Sequence, residues 1–401
     1  MNQRLISLLG LIVFIGCGYL CSNNRSKIRW STVLWGIGLQ LILAVLILKT
    51  TFGLMLFQLL GKGAGQFLDF ADAGSKFLFG DEFESHYIAF KVLPTIVFFS
   101  AFIALLYYYQ ILPKVVSALG WVMMRTMKTS GAESLSCAAN IFVGQTGAPL
   151  LIKPYLPHLT QSELYAVMTG GFATVAGGVM AAYISFGIPA EHLISASVMS
   201  APAALAISKI LYPETDKPET TGKIQVQVEA VYINALDAIT TGALDGLKLA
   251  LNVGAMLIAF LGLLALANAV LSLLGQQFGL PQLSLELILS YLMFPFAWLM
   301  GIPWAECSQV GILLGKKVIL NEFIAYLDLK EMMPNLSERT TIIATYALCG
   351  FSNLGSIGIQ IGGLSAIAPE RQQDLAILGF RAMIAGSLAC FMTACVTGML
   401  I

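Results

Sequence analysis

The chain has 401 residues, 57% hydrophobic and 11% charged, with zero formal net charge and a mean hydropathy of +0.81. A soluble domain carries about 25% charged residues, so this composition excludes an ordinary soluble protein and defines a polytopic membrane protein. No long basic or acidic block is present, which removes the electrostatic footprint that nucleic-acid binding requires.

The opening stretch, MNQRLISLLGLIVFIGCGYLC, has signal-peptide character but no small-residue cleavage site, and a second apolar run begins at Trp30. It reads as a retained first span. Further spans, each near the 20 residues needed to cross about 30 Å of hydrocarbon, fall at about 33–50, 91–110, 190–211, 247–274 and 374–400, the first being 5–22. The connection SNNRSKIR (22–29) is basic while 69–84 is acidic, which puts the amino terminus outside, and the basic cluster Arg125 to Lys128 falls on the cytoplasmic side again. Between the second and third spans, FGLMLFQLLGKGAGQFLDF has an amphipathic pattern rich in Gly and reads as an interfacial helix. PETDKPETTGKIQ (213–225) reads as a solvated loop.

Two segments depart from this pattern. SLSCAANIFVGQTGAPLLIKPYL (134–156) and LILSYLMFPFAWLMGIPWAECSQVGILLGKKVIL (287–320) each read as helix, tight loop, helix. Gly144, Gly147 and Pro149 in the first, and Gly301 and Pro303 in the second, leave backbone groups without helical partners. Such backbone survives at membrane depth only when buried in protein or lining a wet cavity, so both segments are expected to be re-entrant hairpins. For either one alone, the competing reading is a Pro-kinked span with incidental polar residues.

An internal repeat favours the hairpins. LTQSELYAVMTGGFATVAGG (159–178) follows the first and LSERTTIIATYALCGFSNLGSIG (336–358) the second. Both start with Ser and Glu, a helix-start signal, and reach Gly-Phe followed by small and polar residues, with Thr174 opposite Asn353. Gly costs about 1 kcal/mol relative to Ala inside a helix, so both helices are expected to unwind there. Paired broken segments in two halves of a membrane protein point to a transporter's midplane site. The chain therefore divides into scaffold helices with an interfacial helix (1–128), a first repeat (129–212), a loop and long scaffold helix (213–280) and a second repeat (281–401).

AANIFVGQTGAPLLIKPYLP, TQSELYAVMTGGFATVAGGVMAAY, ALNVGAMLIAF, GIPWAEC with NEFIAY, and ALCGFSNLGSIGIQIGGL together resemble the concentrative nucleoside transporter family in its bacterial, sodium-coupled branch. The likeness runs from about residue 84 to the carboxyl end. It implies an all-α polytopic fold with about eight transmembrane helices, two re-entrant hairpins, interfacial helices and inverted repeats. It also implies a homotrimer in a bacterial inner membrane, the amino terminus periplasmic, in which each protomer imports nucleosides by alternating access with Na+ as coupling ion and no cofactor. One residue departs from the family's pattern: Gly147 stands where the family has a Glu associated with the base side of the site.

On this resemblance Glu306 binds the ribose hydroxyls with Asn353 and Ser356 beside it, Gln145 and Thr146 face the nucleobase, and Phe351 and Val179 supply apolar walls. An intramembrane carboxylate costs at least about 2.5 kcal/mol to insert and is a functional residue by default. It can also accept from two vicinal hydroxyls, while Asn offers a donor and an acceptor. The competing reading makes Glu306 a cap for the helix starting at Cys307. For Gln145 and Thr146 the competing reading is local bonding to loop backbone; for Phe351 it is a place in the core. The sodium ligands implied are the Asn140 and Thr174 side chains with the Val143 and Val175 carbonyls, an oxygen set suited to a hard cation.

Lys153 and Glu163 flank the first hairpin as snorkelling or helix-end residues. The seven cysteines, odd in number and without C-x-x-C or Cys/His spacing, read as buried thiols rather than a disulfide or metal framework, and His86, His158 and His192 are scattered at element ends. Besides a sodium-coupled carrier, the classes to weigh are a proton-coupled carrier, an ion channel built on re-entrant loops, and an intramembrane enzyme. The two hairpin tips are chemically unlike, which disfavours a ring-forming filter. No H-E-x-x-H, Ser/His or paired-Asp constellation lies within the spans, which disfavours an enzyme.

Overall fold

The computed structural model describes residues 2–222, 232–280 and 282–401, and is an all-α polytopic membrane protein. Helices α1 (Gln3–Leu20) and α2 (Trp30–Lys49) are the first two spans. The next two, α3 (Thr51–Leu68) and α4 (Ala71–Phe79), occupy the segment expected at the interface. Helix α3 runs unbroken through Gly61, Gly63 and Gly65 and leaves Phe52, Met55 and Leu59 exposed. Then come α5 (Leu93–Tyr108) and α6 (Ile111–Met127). The first hairpin and its successors are α7 (Gly131–Gly147), α8 (Gln161–Ala173), α9 (Gly177–Ser185) and α10 (Ala190–Leu211). After them α11 (Ala235–Gln277) runs 43 residues, roughly 65 Å at 1.5 Å per residue. The remainder is α12 (Leu285–Leu299), α13 (Cys307–Ile319), α14 (Glu322–Met332), α15 (Glu338–Leu348), α16 (Leu354–Ile367) and α17 (Gln372–Leu400).

Burial separates an outer set from an inner one. In the stretches containing α1, α2, α5 and α11, 33% or less of the apolar window is buried, against 72% or more in those containing α7, α8 with α9, α10 and α17. The outer helices leave large apolar side chains such as Leu34, Leu251 and Ile258 exposed. Helix α11 meets α5 through Gly242 and Gly246, four residues apart, where an added Cβ would lie 2.6 Å from Ala104 Cβ or 2.8 Å from the Ser100 side chain. Small residues at that spacing bring two membrane helices to backbone contact.

The inner helices start on strong caps. Ser130 and Glu133 form a capping box at α7, and Thr160 and Glu163 form one at α8, so the cap in this repeat is Thr160 and not Ser162. Ser337 caps α15. The loop expected at 213–225 is helix-free over 213–222, and residues 223–225 lie outside the described residues. It is not simply solvated: Thr220 is buried, its carbonyl accepts from Gly131 N–H and its hydroxyl from Ala132 N–H, so it satisfies amides that the first turn of α7 leaves open.

The second interrupted segment differs from expectation. Helices α12 and α13 pack side by side around GIPWAEC, with Gly311 and Gly315 against Ser290 and Leu289. But the chain then turns again at Leu320 and Asn321 into α14, giving three helices where 287–320 predicted a single hairpin. The hairpin that precedes the second broken helix, as α7 precedes the first, is α13 with α14. Its turn uses no Gly or Pro: Leu320 has φ −97° and ψ −93°, and the Asn321 side chain accepts from Ile324 N–H to start α14.

Candidate functional site

Both helices expected to unwind do so. The first repeat leaves helix at Thr174 (φ −129°, ψ 169°), between α8 and α9, and the second between Cys349 and Asn353, separating α15 from α16. The two breaks touch: Phe351 N–H donates to the Thr174 carbonyl at 3.1 Å. Closest approach is set by Gly350, where a Cβ would come 2.7 Å from the Phe172 carbonyl oxygen. Each break thus supplies a partner for the other, which is what irregular backbone at membrane depth needs.

The first hairpin reaches this crossing at Gly144. Its φ of +71° interrupts α7, and a Cβ there would stand 2.5 Å from Ala176 Cβ, so glycine serves both the left-handed turn and the contact with the first break. Gln145 follows, 7% exposed, with no partner for Oε1; Thr146 lies near Gly363 on α16. One turn before Gly144, Asn140 is 1% exposed; its amide donates to the Ser136 carbonyl at 3.0 Å and its Oδ1 has no partner. Thr174 is fully buried and donates its hydroxyl proton to the Gly170 carbonyl, leaving lone pairs free to accept. Val143 and Val175 flank the two points where helix stops. Of the four residues expected around sodium, Asn140 and Thr174 therefore offer buried oxygens with unused acceptor capacity, as a cation requires.

On the other side of the crossing the sequence reading needs a correction. The carboxylate beside Asn353 is Glu322, not Glu306. Asn353 Nδ2 donates to Glu322 Oε2 at 3.0 Å, and the Tyr183 hydroxyl on α9 donates to Oε1 at 2.9 Å. The Asn353 Oδ1 in turn accepts from Ser356 N–H at 2.8 Å and caps α16. Glu306 instead accepts from the hydroxyl and amide of Ser337, where α15 begins. Thirteen residues of α13 separate the two carboxylates, roughly 20 Å of helix, so one side chain's presence at Asn353 excludes the other. The end that holds Glu306 also carries Gly301, whose carbonyl accepts from Arg339, and Ile401, whose carbonyl accepts from Arg4 and Arg339.

Of the remaining expected residues, Ser356 is 3% exposed and stands one cap away from Glu322 through Asn353. Val179 is buried on α9, four residues before Tyr183 and on the same helical face. Phe351 is half-buried at the crossing itself. The sequence reading missed three polar side chains. Glu322 and Tyr183 form a hydrogen-bonded pair beside Asn353, and Gln360 on α16, 1% exposed, donates to the Met168 carbonyl and has no partner for Oε1. The signal for Glu322 was the run NEFIAY, where Asn before Glu marks a helix start.

A cavity of about 490 Å³ lies between the first hairpin and the outer helices, lined by Val143, Gly147 and Ala176 on one side and Tyr107, Tyr232 and Asp245 on the other. Its size is in the range of small-molecule sites. Gly147 forms part of its wall.

Two crossed helix breaks, each met by a helical hairpin and ringed by buried polar side chains, define a membrane transporter. Three family descriptions match in order: Na+ dependent nucleoside transporter N-terminus over 9–82, nucleoside recognition over 89–190, and Na+ dependent nucleoside transporter C-terminus over 192–398. The chain belongs to the Na+ dependent nucleoside transporter family. Solute carrier family 28 member 3 of Rattus norvegicus is 48% identical over 100% of this chain and 59% of its own length; that of Homo sapiens is 48% identical over 100% and 60%. Sodium/nucleoside cotransporter 2 of Rattus norvegicus is 43% identical over 99% and 63%. The chain thus spans about six-tenths of the length of these relatives, which are transporters and not enzymes. CNTnw in an inward-facing substrate-bound state superposes with a TM-score of 0.93 at 40% identity, covering 99% of this chain and 98% of that one. A variant of CNTnw in an outward-facing state gives a TM-score of 0.95 at 39% identity, with 99% and 98% covered.

Proposed function

We propose that this protein is a sodium-coupled symporter that carries nucleosides inward across a membrane by alternating access. The observation that carries the reading is the buried carboxylate of Glu322 at the crossing of the two breaks, accepting one hydrogen bond on each oxygen, from Tyr183 and Asn353. A carboxylate has about four acceptor positions, so two remain for the vicinal hydroxyls of a ribose. Asn353 and Ser356 orient that carboxylate, Gln145 and Thr146 address the base edge, and Val179 and Phe351 supply apolar contact. Sodium takes the Asn140 and Thr174 oxygens with the carbonyls of Val143 and Val175. All four are neutral, so the ion is held by dipoles and released readily, as a coupled carrier needs.

In this reading the hairpins and broken helices move together against α5 and α11, and the cavity beside Gly147 belongs to the path between them. We further propose a homotrimer. The multi-pass chain has its amino terminus on the non-cytoplasmic side, which the basic residues Arg25, Lys27 and Arg29 between α1 and α2 support; in a bacterial cell that membrane is the inner one and that side the periplasm. The test is radiolabelled uridine uptake into proteoliposomes with and without an imposed sodium gradient, competed by other nucleosides. Concentrative, sodium-driven and saturable uptake is expected. Full activity with choline in place of sodium at constant pH would replace sodium by protons or by facilitated diffusion.

A further inference from the structure

Gln360 on α16 holds a buried acceptor open. Its amide nitrogen donates to the Met168 carbonyl at 2.9 Å. A carbonyl only accepts, so the side chain cannot turn over without losing that bond, and its oxygen is fixed as an acceptor. The residue is 1% exposed and that oxygen has no partner among the described residues. Buried polar atoms are almost always paired, so an oxygen anchored in this way calls for a donor that arrives from outside the chain.

Its place on α16 says where the donor comes from. The buried residues of that helix are Ser356, Gln360 and Leu364, a single stripe that begins beyond the cap Asn353. Ser356 and Gln360 are four positions apart and share a face. From Asn353 to Gln360 the helix rises roughly 10 Å. The stripe therefore leads away from the Glu322 carboxylate, where the sugar is proposed to bind, to the tip of the first hairpin. There Gly171 of α8 brings two glutamines together: an added Cβ would collide with Gln360 Nε2 and lie 2.9 Å from Gln145 Cβ. Thr146 closes against the same turn of α16, its Cγ2 being 3.6 Å from where a Cβ of Gly363 would stand. Gln145 Oε1 is likewise buried and open. Two unpaired amide oxygens thus meet where the hairpin tip, the first broken helix and α16 converge.

We infer that Gln360 is a specificity-determining residue of the transport site: its side-chain oxygen accepts the ring N–H of a uracil-type base, with Gln145 beside it. The inference rests on the symporter reading above, which gave the base side to the hairpin alone, and adds α16 to it. Because the Met168 carbonyl fixes which atom faces the base, Gln360 selects for a donor at that edge, whereas a freely turning amide would take a donor or an acceptor.

The probe is 3-methyluridine, which carries a methyl group in place of that ring proton. Its inhibition constant against radiolabelled uridine uptake into proteoliposomes is measured beside that of unlabelled uridine, for the wild type and for Gln360→Met, which keeps the length of the side chain and removes the acceptor. The wild type is expected to bind uridine at least several-fold more tightly than 3-methyluridine. In Gln360→Met uridine binding should weaken about threefold to tenfold while 3-methyluridine binding stays level or tightens, so the ratio narrows. The sodium concentration giving half-maximal uptake should not move. A residue that only holds α16 to α8 would weaken both solutes alike, so a folded Gln360→Met protein with an unchanged ratio would overturn the inference. Should that variant fail to fold, the wild type decides: equal inhibition by the two nucleosides would overturn the inference, and selective exclusion of 3-methyluridine would uphold it. Absence of nucleoside uptake by the wild type would instead remove the symporter reading itself.

Discussion

Asn353 donates to Glu322 across 3.0 Å, tying the tip of the α13–α14 hairpin to the break between α15 and α16. This bond puts beside Asn353 a carboxylate other than Glu306, the one the sequence singles out. Glu322→Gln keeps the shape but loses the charge, and hydrogen bonds to a charged group contribute about 1.5–3 kcal/mol, roughly 10–150-fold in affinity. Uridine uptake should fall by that factor or more. Glu306→Ala should retain most of its uptake and lose about 1 kcal/mol of stability, since it removes a contact to the cap of α15. Uptake and thermal unfolding of the two variants, compared side by side, check this; the reverse ranking would return the site to Glu306.

Asn140 carries the sodium prediction. Its Oδ1 is buried and unpartnered while its amide is anchored to Ser136. Asn140→Leu removes that oxygen at similar volume, so the sodium concentration giving half-maximal uptake should rise about tenfold, matching the loss of about 1.4 kcal/mol from one ligand bond. Uptake at saturating sodium should be affected much less. Sodium activation curves for the variant and the wild type measure both quantities, and equal half-maximal concentrations would remove Asn140 from the ion site.

Much of this arrangement was legible in the sequence because its physical cause is local. Gly144 and the GFATVAGG and GFSNLGSIG stretches announce broken helices by composition, and Ser337 with Glu338 announces the start of α15. The turn at Leu320 and Asn321 lacks those markers, since it runs through the apolar stretch VILNEFIAYL with neither Gly nor Pro. A period-based reading therefore extends the hairpin to GIPWAEC, where Gly301 and Pro303 are visible, and takes the carboxylate at that end. What placed Glu322 was the tertiary partnership with Tyr183 and Asn353, 139 and 31 residues away, which no local pattern carries.

Lys209 governs a second buried charge group, at the feet of the first hairpin. Its ammonium lies 2.6 Å from Glu133 Oε2 and 3.6 Å from Glu214 Oε2, and it donates to the Ser162 hydroxyl, with all three charged side chains at most 7% exposed. It thereby joins the start of α7, the start of α8 and the loop after α10. Lys209→Met would leave two carboxylates buried without a counter-charge, and breaking one partner out of such a group costs about 3–5 kcal/mol. A marked fall in the unfolding temperature in detergent is expected, with Glu133→Gln in the same background recovering part of it. A Lys209→Met protein as stable as the wild type would show that this cluster does not hold the hairpin.

Gly147 connects the first hairpin to the cavity. A Cβ at this position would come 3.0 Å from Val143 Cβ, tight enough that Val143 must shift by a few tenths of an ångström, and beyond it the cavity of about 490 Å³ offers room for a longer side chain. Gly147→Glu should therefore fold, place a carboxylate at the cavity wall one residue beyond Thr146, and bind the nucleobase more tightly. A charged hydrogen bond of about 1.5–3 kcal/mol sets the scale, a KM at least several-fold lower. Because Val143 supplies one of the proposed sodium ligands, sodium activation should move along with it. Uridine KM at fixed sodium and the sodium dependence at fixed uridine separate the two effects; if both stay at their wild-type values, neither base nor ion is read at position 147.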